Sequence, residues 1–224
     1  MSSSDSDPQS LQAQLAESVQ LVPMIELPKF VVGVDAAYIE SDSSAEPDNA
    51  VLGIGAAVVI DTSSFEVTEE ATVSVEVTAD YQPGFLAARE APVLLAAIDQ
   101  LDHKPELVVC DGHGIAHPRR AGLACHVGVA LGIPTIGCAK QPLVGSHIEV
   151  GTDRGAFEPV LVNGETLGAV VRTASNVKPV YVSPGHLIDV DSSVRHILAL
   201  APKFRLPETT RAADHLARKA AAEA

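Results

Sequence analysis

The chain reads as one α/β domain built on a sheet of mixed direction. Three observations carry this. The runs Phe30-Val31-Val32-Gly33-Val34-Asp35-Ala36-Ala37-Tyr38 and Leu107-Val108-Val109-Cys110-Asp111-Gly112 are short, β-branched and apolar on both faces, as buried strands are. Two more strand-like runs follow the first and predict a three-stranded antiparallel meander. From residue 106 onward, helical and strand-like segments alternate, the order expected of an α/β sheet.

Taken in order, residues 1–10 form an acidic, polar tail expected to be disordered, and 11–224 form the single domain. Residues 8–20 have helical spacing at Leu11, Leu15 and Val19. The first strand covers 29–39. A polar loop, 40–49, leads to strands at 51–61 and 65–77, joined by the turn signal Asp61-Thr62-Ser63-Ser64. Tyr81-Gln82-Pro83-Gly84 breaks the pattern. A helix begins at 85–90; Pro92 interrupts it and is placed first in a continuing helix, 93–101. The second acid-bearing strand lies at 106–111. A glycine- and histidine-rich loop, a helix at 121–131 and a buried strand at 134–138 follow. Asn163-Gly164 signals a hairpin. A strand is expected at 179–183, with helices at 192–200 and 207–223.

Composition narrows the class. The 224 residues hold 46% apolar residues, enough for one core. No apolar run is long enough to span a membrane, and the polar start is no secretory signal. The three cysteines, Cys110, Cys125 and Cys138, share no metal-type spacing and read as reduced core thiols of a cytoplasmic protein. Net charge is −14, with only six lysines. Alone, this opposes a nucleic-acid partner, which normally leaves a basic footprint. It also fits a protein of a salt-loving organism, where brine screens self-repulsion and weakens the gain from counterion release.

The acids carry the chemistry. An acid inside an apolar strand is costly unless a cation or a hydrogen-bond network satisfies it. Asp35 and Asp111 both sit there, Glu90 lies on the intervening helix, and Asp214 lies on the last helix. The element order matches a ribonuclease H-like arrangement, which puts Asp35 and Asp111 side by side. Oxygen donors from separate elements suit a hard divalent cation such as Mg²⁺. Read singly, the same acids are helix caps, loop anchors or solvated helix residues, and spacing alone leaves that alternative open.

Six ordered blocks then carry a resemblance. They are Val32-Gly33-Val34-Asp35; Tyr81-Gln82-Pro83-Gly84-Phe85-Leu86-Ala87-Ala88-Arg89-Glu90; Asp111-Gly112-His113-Gly114-Ile115-Ala116-His117-Pro118-Arg119-Arg120; Ile136-Gly137-Cys138-Ala139-Lys140; Val182-Ser183-Pro184-Gly185-His186; and Arg205-Leu206-Pro207-Glu208-Thr209-Thr210-Arg211-Ala212-Ala213-Asp214. From Phe30 to the C-terminus the chain resembles the endonuclease V family. The resemblance implies a ribonuclease H-like fold and Mg²⁺-dependent cutting (Mn²⁺ may substitute as cofactor) of DNA at deoxyinosine. The cut falls at the second phosphodiester on the 3′ side and leaves 3′-hydroxyl and 5′-phosphate ends. It implies metal binding by Asp35, Glu90 and Asp111, with Lys140 as the active-site lysine and Asp214 near the metal.

For a lesion reader, physics requires the base to leave the stack for a pocket. The resemblance maps that pocket onto Gly84, Leu86, Gly112 and Leu123, and a strand-separating wedge onto Tyr81, Gln82 and Pro83. Asp80 and Gln82 depart from the family wedge, so strand separation is expected to be weaker unless high salt offsets the repulsion. His117 and Arg119 follow the metal loop and either contact phosphate or brace the loop. Arg120, Arg205 and Arg211 are further phosphate candidates, and Arg211 has a helix acid as its alternative partner. His113 is as readily structural as functional, and His186 is expected to fix a loop. The remaining histidines have no motif support. The expected state is a monomer. Rival readings are a ribonuclease acting on inosine in RNA, a non-cutting inosine-binding module and a small-molecule α/β enzyme.

Overall fold

The computed structural model describes residues 8–39, 51–77 and 86–224. Eight strands form one sheet: β1 (Phe30–Ile39), β2 (Val51–Asp61), β3 (Val67–Val77), β4 (Val108–Cys110), β5 (Thr135–Ala139), β6 (Phe157–Val162), β7 (Glu165–Val171) and β8 (Val180–His186). Their spatial order is β3-β2-β1-β4-β5-β8-β7-β6. The first three make the antiparallel meander, and β4 and β5 add to β1 in parallel. This is the mixed sheet that the residue pattern predicts.

Helices cover both faces. On one side, α2 (Leu86–Asp99) and α3 (Leu123–Leu131) bury Val32, Val34, Val108 and Cys110. On the other, α4 (Val190–Leu200) packs Val194 and Ile197 against Val31, Val109 and Ile136, and α5 (Glu208–Glu223) covers β1 and β2. The helix α1 (Pro8–Ser18) rests near α3. It begins inside the stretch read as tail. Residues 1–7 lie outside the described residues.

Four boundaries correct the sequence reading. Helix α2 runs unbroken through Pro92, rather than restarting there. The ring sits on the exposed face, while Ala91, Val93 and Leu94 are buried and keep the helix docked; that burial outweighs the lost N–H bond. Strand β4 is only three residues long, so Asp111 stands just beyond its end. Helix α4 starts earlier because Asp189 caps it, its carboxylate accepting from the Ser192 N–H at 2.8 Å. After β5 the chain makes a second antiparallel set, β6-β7-β8, instead of further alternation. Asn163 (φ 52°) and Gly164 (φ 84°) form its first turn, both left-handed as a two-residue hairpin turn requires.

All three cysteines are free and buried. Among the described residues, no helix is long and apolar enough to cross a membrane.

Candidate active site

The register of β1 and β4 builds the centre. Val34 pairs with Cys110, so Asp35 and Asp111 occupy the next row on adjacent strands. Adjacent strands lie about 4.8 Å apart. Val34 faces α2 and α3, so alternation turns Asp35 toward α5. Helix α5 can lie close because Gly33 has no side chain; a Cβ there would stand 2.2 Å from the Thr209 carbonyl oxygen. Asp214 thereby reaches the same neighbourhood from above β1. Glu90 arrives from α2, on the opposite face.

The electrostatics reflect this placement. Burial, followed by repulsion from Asp111, pushes Asp35 up to about 7; Asp214 adds to the rise, while the Ala36 N–H and Lys140 oppose it. The Ala36 amide donates to Asp35 Oδ1 at 2.9 Å. Burial and then Asp111 also push Glu90 up to about 7, with Arg89 opposing. Asp111 is therefore the acid that both others feel. Among the described residues neither Asp35 nor Glu90 has an ion-pair partner. Asp111 and Asp214 do: Lys140 Nζ lies 2.5 Å from Asp111 Oδ2, and Arg218 Nη2 lies 2.9 Å from Asp214 Oδ1. Those contacts keep Lys140 protonated above its ordinary range, against the cost of its partial burial.

Two side chains that the motif reading passed over stand beside the acids. The Arg89 guanidinium lies 4.7 Å from the Tyr38 ring centroid. The Tyr38 hydroxyl and Arg89 Nε are buried, without hydrogen-bond partners among the described residues. Burial and then Glu90 push the Tyr38 phenol upward. Arg218 was also missed, although its i,i+4 spacing from Asp214 was readable.

The loop after Asp111 is fixed by β8. The Gly114 N–H donates to Ser183 Oγ at 2.8 Å and the Ile115 N–H to the Pro184 carbonyl at 2.8 Å. A Cβ at Gly114 would meet the Pro184 oxygen at 2.0 Å, so only glycine fits. A Cβ at Gly112 would lie 3.3 Å from Leu123 Cδ2, which places these two pocket candidates side by side. Tyr81, Gln82, Pro83 and Gly84 lie outside the described residues, as does the Leu86 side chain.

The cationic candidates separate sharply. His117 is 6% exposed, and its Nδ1 accepts from the Arg119 N–H. Burial, then Arg119, His113 and His126, push it down to about 4. Arg119 Nε donates to Gln12 of α1, and Arg120 grips Glu165 through two bonds. These contacts favour bracing over phosphate contact. His186 accepts from the Gln20 N–H and so holds the segment after α1. Arg205 Nη2 donates to the carbonyls of Lys140 and Pro179, both at 2.8 Å, and the Thr173 hydroxyl holds the Arg205 carbonyl at 2.6 Å. Arg205 thus braces the strand end that carries Lys140, which corrects its reading as a phosphate contact. Arg211 pairs with Glu208, its alternative partner, at 2.5 Å.

The donor set suits a hard divalent cation. It is all oxygen, and burial holds two of its carboxyls high, with Lys140 and Arg89 only partly offsetting the rise. Among the described residues, no three such side chains are yet gathered tightly enough to hold a metal ion. The set is complete in chemistry and open in approach.

Comparison with known proteins agrees with this geometry. The endonuclease V family model matches residues 13–215. The endonuclease V of Streptomyces avermitilis is 50% identical over 194 residues, covering 87% of this chain and 81% of that protein. A crystal structure of the endonuclease V from that organism superposes with a TM-score of 0.88 at 46% identity, covering 99% of this chain and 95% of that one. A Ciona intestinalis endonuclease V, crystallised with a 24-mer DNA containing an inosine followed by a ribo-adenosine, is 24% identical. It covers 96% of each chain at a TM-score of 0.78 and speaks for the fold alone. None of these matches supports the salt-loving reading of the acidic surface. A sheet that sets Asp35 beside Asp111, and a family match across nine-tenths of the sequence, place the chain in the endonuclease V family, hydrolases that cut phosphodiester bonds within nucleic acid.

Proposed function

We propose that this endonuclease nicks DNA at deoxyinosine, cutting the second phosphodiester on the 3′ side and leaving 3′-hydroxyl and 5′-phosphate ends. The observation that carries the reading is the pair of mostly buried carboxyls, Asp35 and Glu90, on either side of Asp111, neither in an ion pair among the described residues. Asp35, Glu90 and Asp111 would hold Mg²⁺, with Mn²⁺ as substitute; when bound, the cation positions water and neutralises charge on the phosphodiester.

The chain's own residues do the rest. Lys140 holds Asp111 in place and presents an ammonium beside the phosphate. Asp214, paired with Arg218, adds a carboxylate on the α5 side. Gly112 leaves room for a base edge to approach backbone groups, and Leu123 walls that space. Tyr81, Gln82, Pro83, Gly84 and Leu86 complete the wedge and pocket. His117 and Arg119 hold the loop that carries Gly112. The enzyme acts as a monomer in the cytoplasm.

A nicking assay on a deoxyinosine duplex, with and without EDTA, tests this. Product at the second 3′ phosphodiester only in the metal lane is expected; product in EDTA, or none in either lane, overturns it. A matched inosine RNA separates the ribonuclease reading.

A further inference from the structure

Beside Lys140, α5 and the segment leading to it enclose an open cleft of about 460 Å³. Its lining is Lys140, Leu206, Arg211, Asp214, His215 and Arg218. The chain has 15 Lys and Arg against 29 Asp and Glu, so three of its cations in one cleft is a concentration. Arg119, Arg120 and Arg205 are committed elsewhere, to Gln12, Glu165 and backbone carbonyls.

A second observation concerns how Arg211 is held. Its guanidinium carbon lies 3.7 Å from the centroid of the Phe204 ring, and Lys203 Nζ lies 5.3 Å from the same ring. Phe204 is 39% exposed. An exposed ring that stacks on a guanidinium orients its flat fork and leaves its edge donors available. Arg211 and Arg218 are seven residues apart on α5, two turns along one face, about 10 Å. That spans more than the axial rise of about 3.4 Å between phosphates of one strand. Their present partners, Glu208 and Asp214, form partly exposed ion pairs. Such partly exposed pairs contribute little, so exchanging them for bidentate phosphate contacts costs little.

We propose that this cleft is a phosphate-binding subsite for the strand adjoining the scissile bond, with Arg211 and Arg218 as its ligands and Phe204 as the shelf that presents Arg211. It rests on the nuclease reading above and names the surface that grips the backbone. It also answers how a chain of charge −14 holds a polyanion: the positive charge is collected beside the acids rather than spread over a face.

The test is equilibrium binding in EDTA to two duplexes, one with deoxyinosine and one undamaged, across a salt series. Arg211→Gln and Arg218→Gln should each weaken binding to both duplexes about three- to tenfold. Each should also reduce the slope of log affinity against log salt by about 1. Arg218→Lys should keep the slope. A neutral methylphosphonate at one position of the strand should erase the Arg218→Gln difference. Wild-type binding with unchanged variant slopes overturns the subsite alone, as does a loss confined to the deoxyinosine duplex. No wild-type binding to either duplex overturns the subsite, while the nicking assay with metal decides the nuclease reading separately.

Discussion

The inner and outer acids of the site are treated in opposite ways. Asp35 and Glu90 are mostly buried, lack ion-pair partners among the described residues and are pushed up to about 7. Asp111 and Asp214 carry Lys140 and Arg218 against them. Lys140 and Arg89 offset the inner pair only in part. Structural acids are normally paired when buried. The inner pair stores instability that a divalent cation relieves, whereas Asp111 would join the same cation with Lys140 already against it and Asp214 stands balanced by Arg218.

The comparison breaks first on activity. Asp35→Ala or Glu90→Ala should cut nicking of a deoxyinosine duplex by at least about 10³-fold, roughly 4 kcal/mol of barrier, and Asp214→Ala by less. The thermal midpoint should report an intact fold. An Asp35→Ala or Glu90→Ala variant within tenfold of wild type erases the distinction between inner and outer acids.

Stability sharpens it next. Both inner acids have folded values above their unfolded ones, 3.8 for Asp35 and 4.5 for Glu90. The folded state therefore holds their protons more tightly, and stability is lost as pH rises from about 4 through about 7. Without divalent cation, Asp35→Asn should escape that loss and gain about 1–4 kcal/mol over wild type at pH 7.5. Denaturant midpoints at pH 4 and 7.5 measure the difference; equal midpoints at both values count against it.

Lys140→Ala comes next, with about a 10- to 100-fold fall in kcat, since it removes one preset charge but no metal donor. Arg205→Ala has the smallest effect, a few-fold fall in kcat that vanishes in a Lys140→Ala background. Additive losses in that double variant would show Arg205 acting on the fold rather than through Lys140.

Much of this arrangement is legible in residues alone. An acid in an apolar, β-branched run states its own cost, so Asp35 and Asp111 stand out without any partner. The Asn163-Gly164 turn is likewise local chemistry. What stays hidden depends on approach in three dimensions. Glu90 looks like any solvated helix acid until α2 docks across the sheet from Asp35. Pro92 reads as a break because the pattern does not say which face of α2 meets solvent. The arginines are the hardest: each long side chain reaches several elements, and only the packed fold commits Arg205 to two carbonyls and Arg119 to Gln12. Arg218 is the exception, since four-residue spacing from Asp214 on one helix is a sequence signal.

Proton release on Mn²⁺ binding is the most direct probe of the inner pair. Calorimetric titrations in buffers of differing ionisation heat, from pH 6 to 8.5, count the protons displaced. Release that grows as pH falls toward 6, and shrinks in Asp35→Asn and Glu90→Gln, is the expected result. Binding with no proton release at any of these pH values, or release unchanged in both variants, contradicts the idea that these two buried carboxyls await the cation.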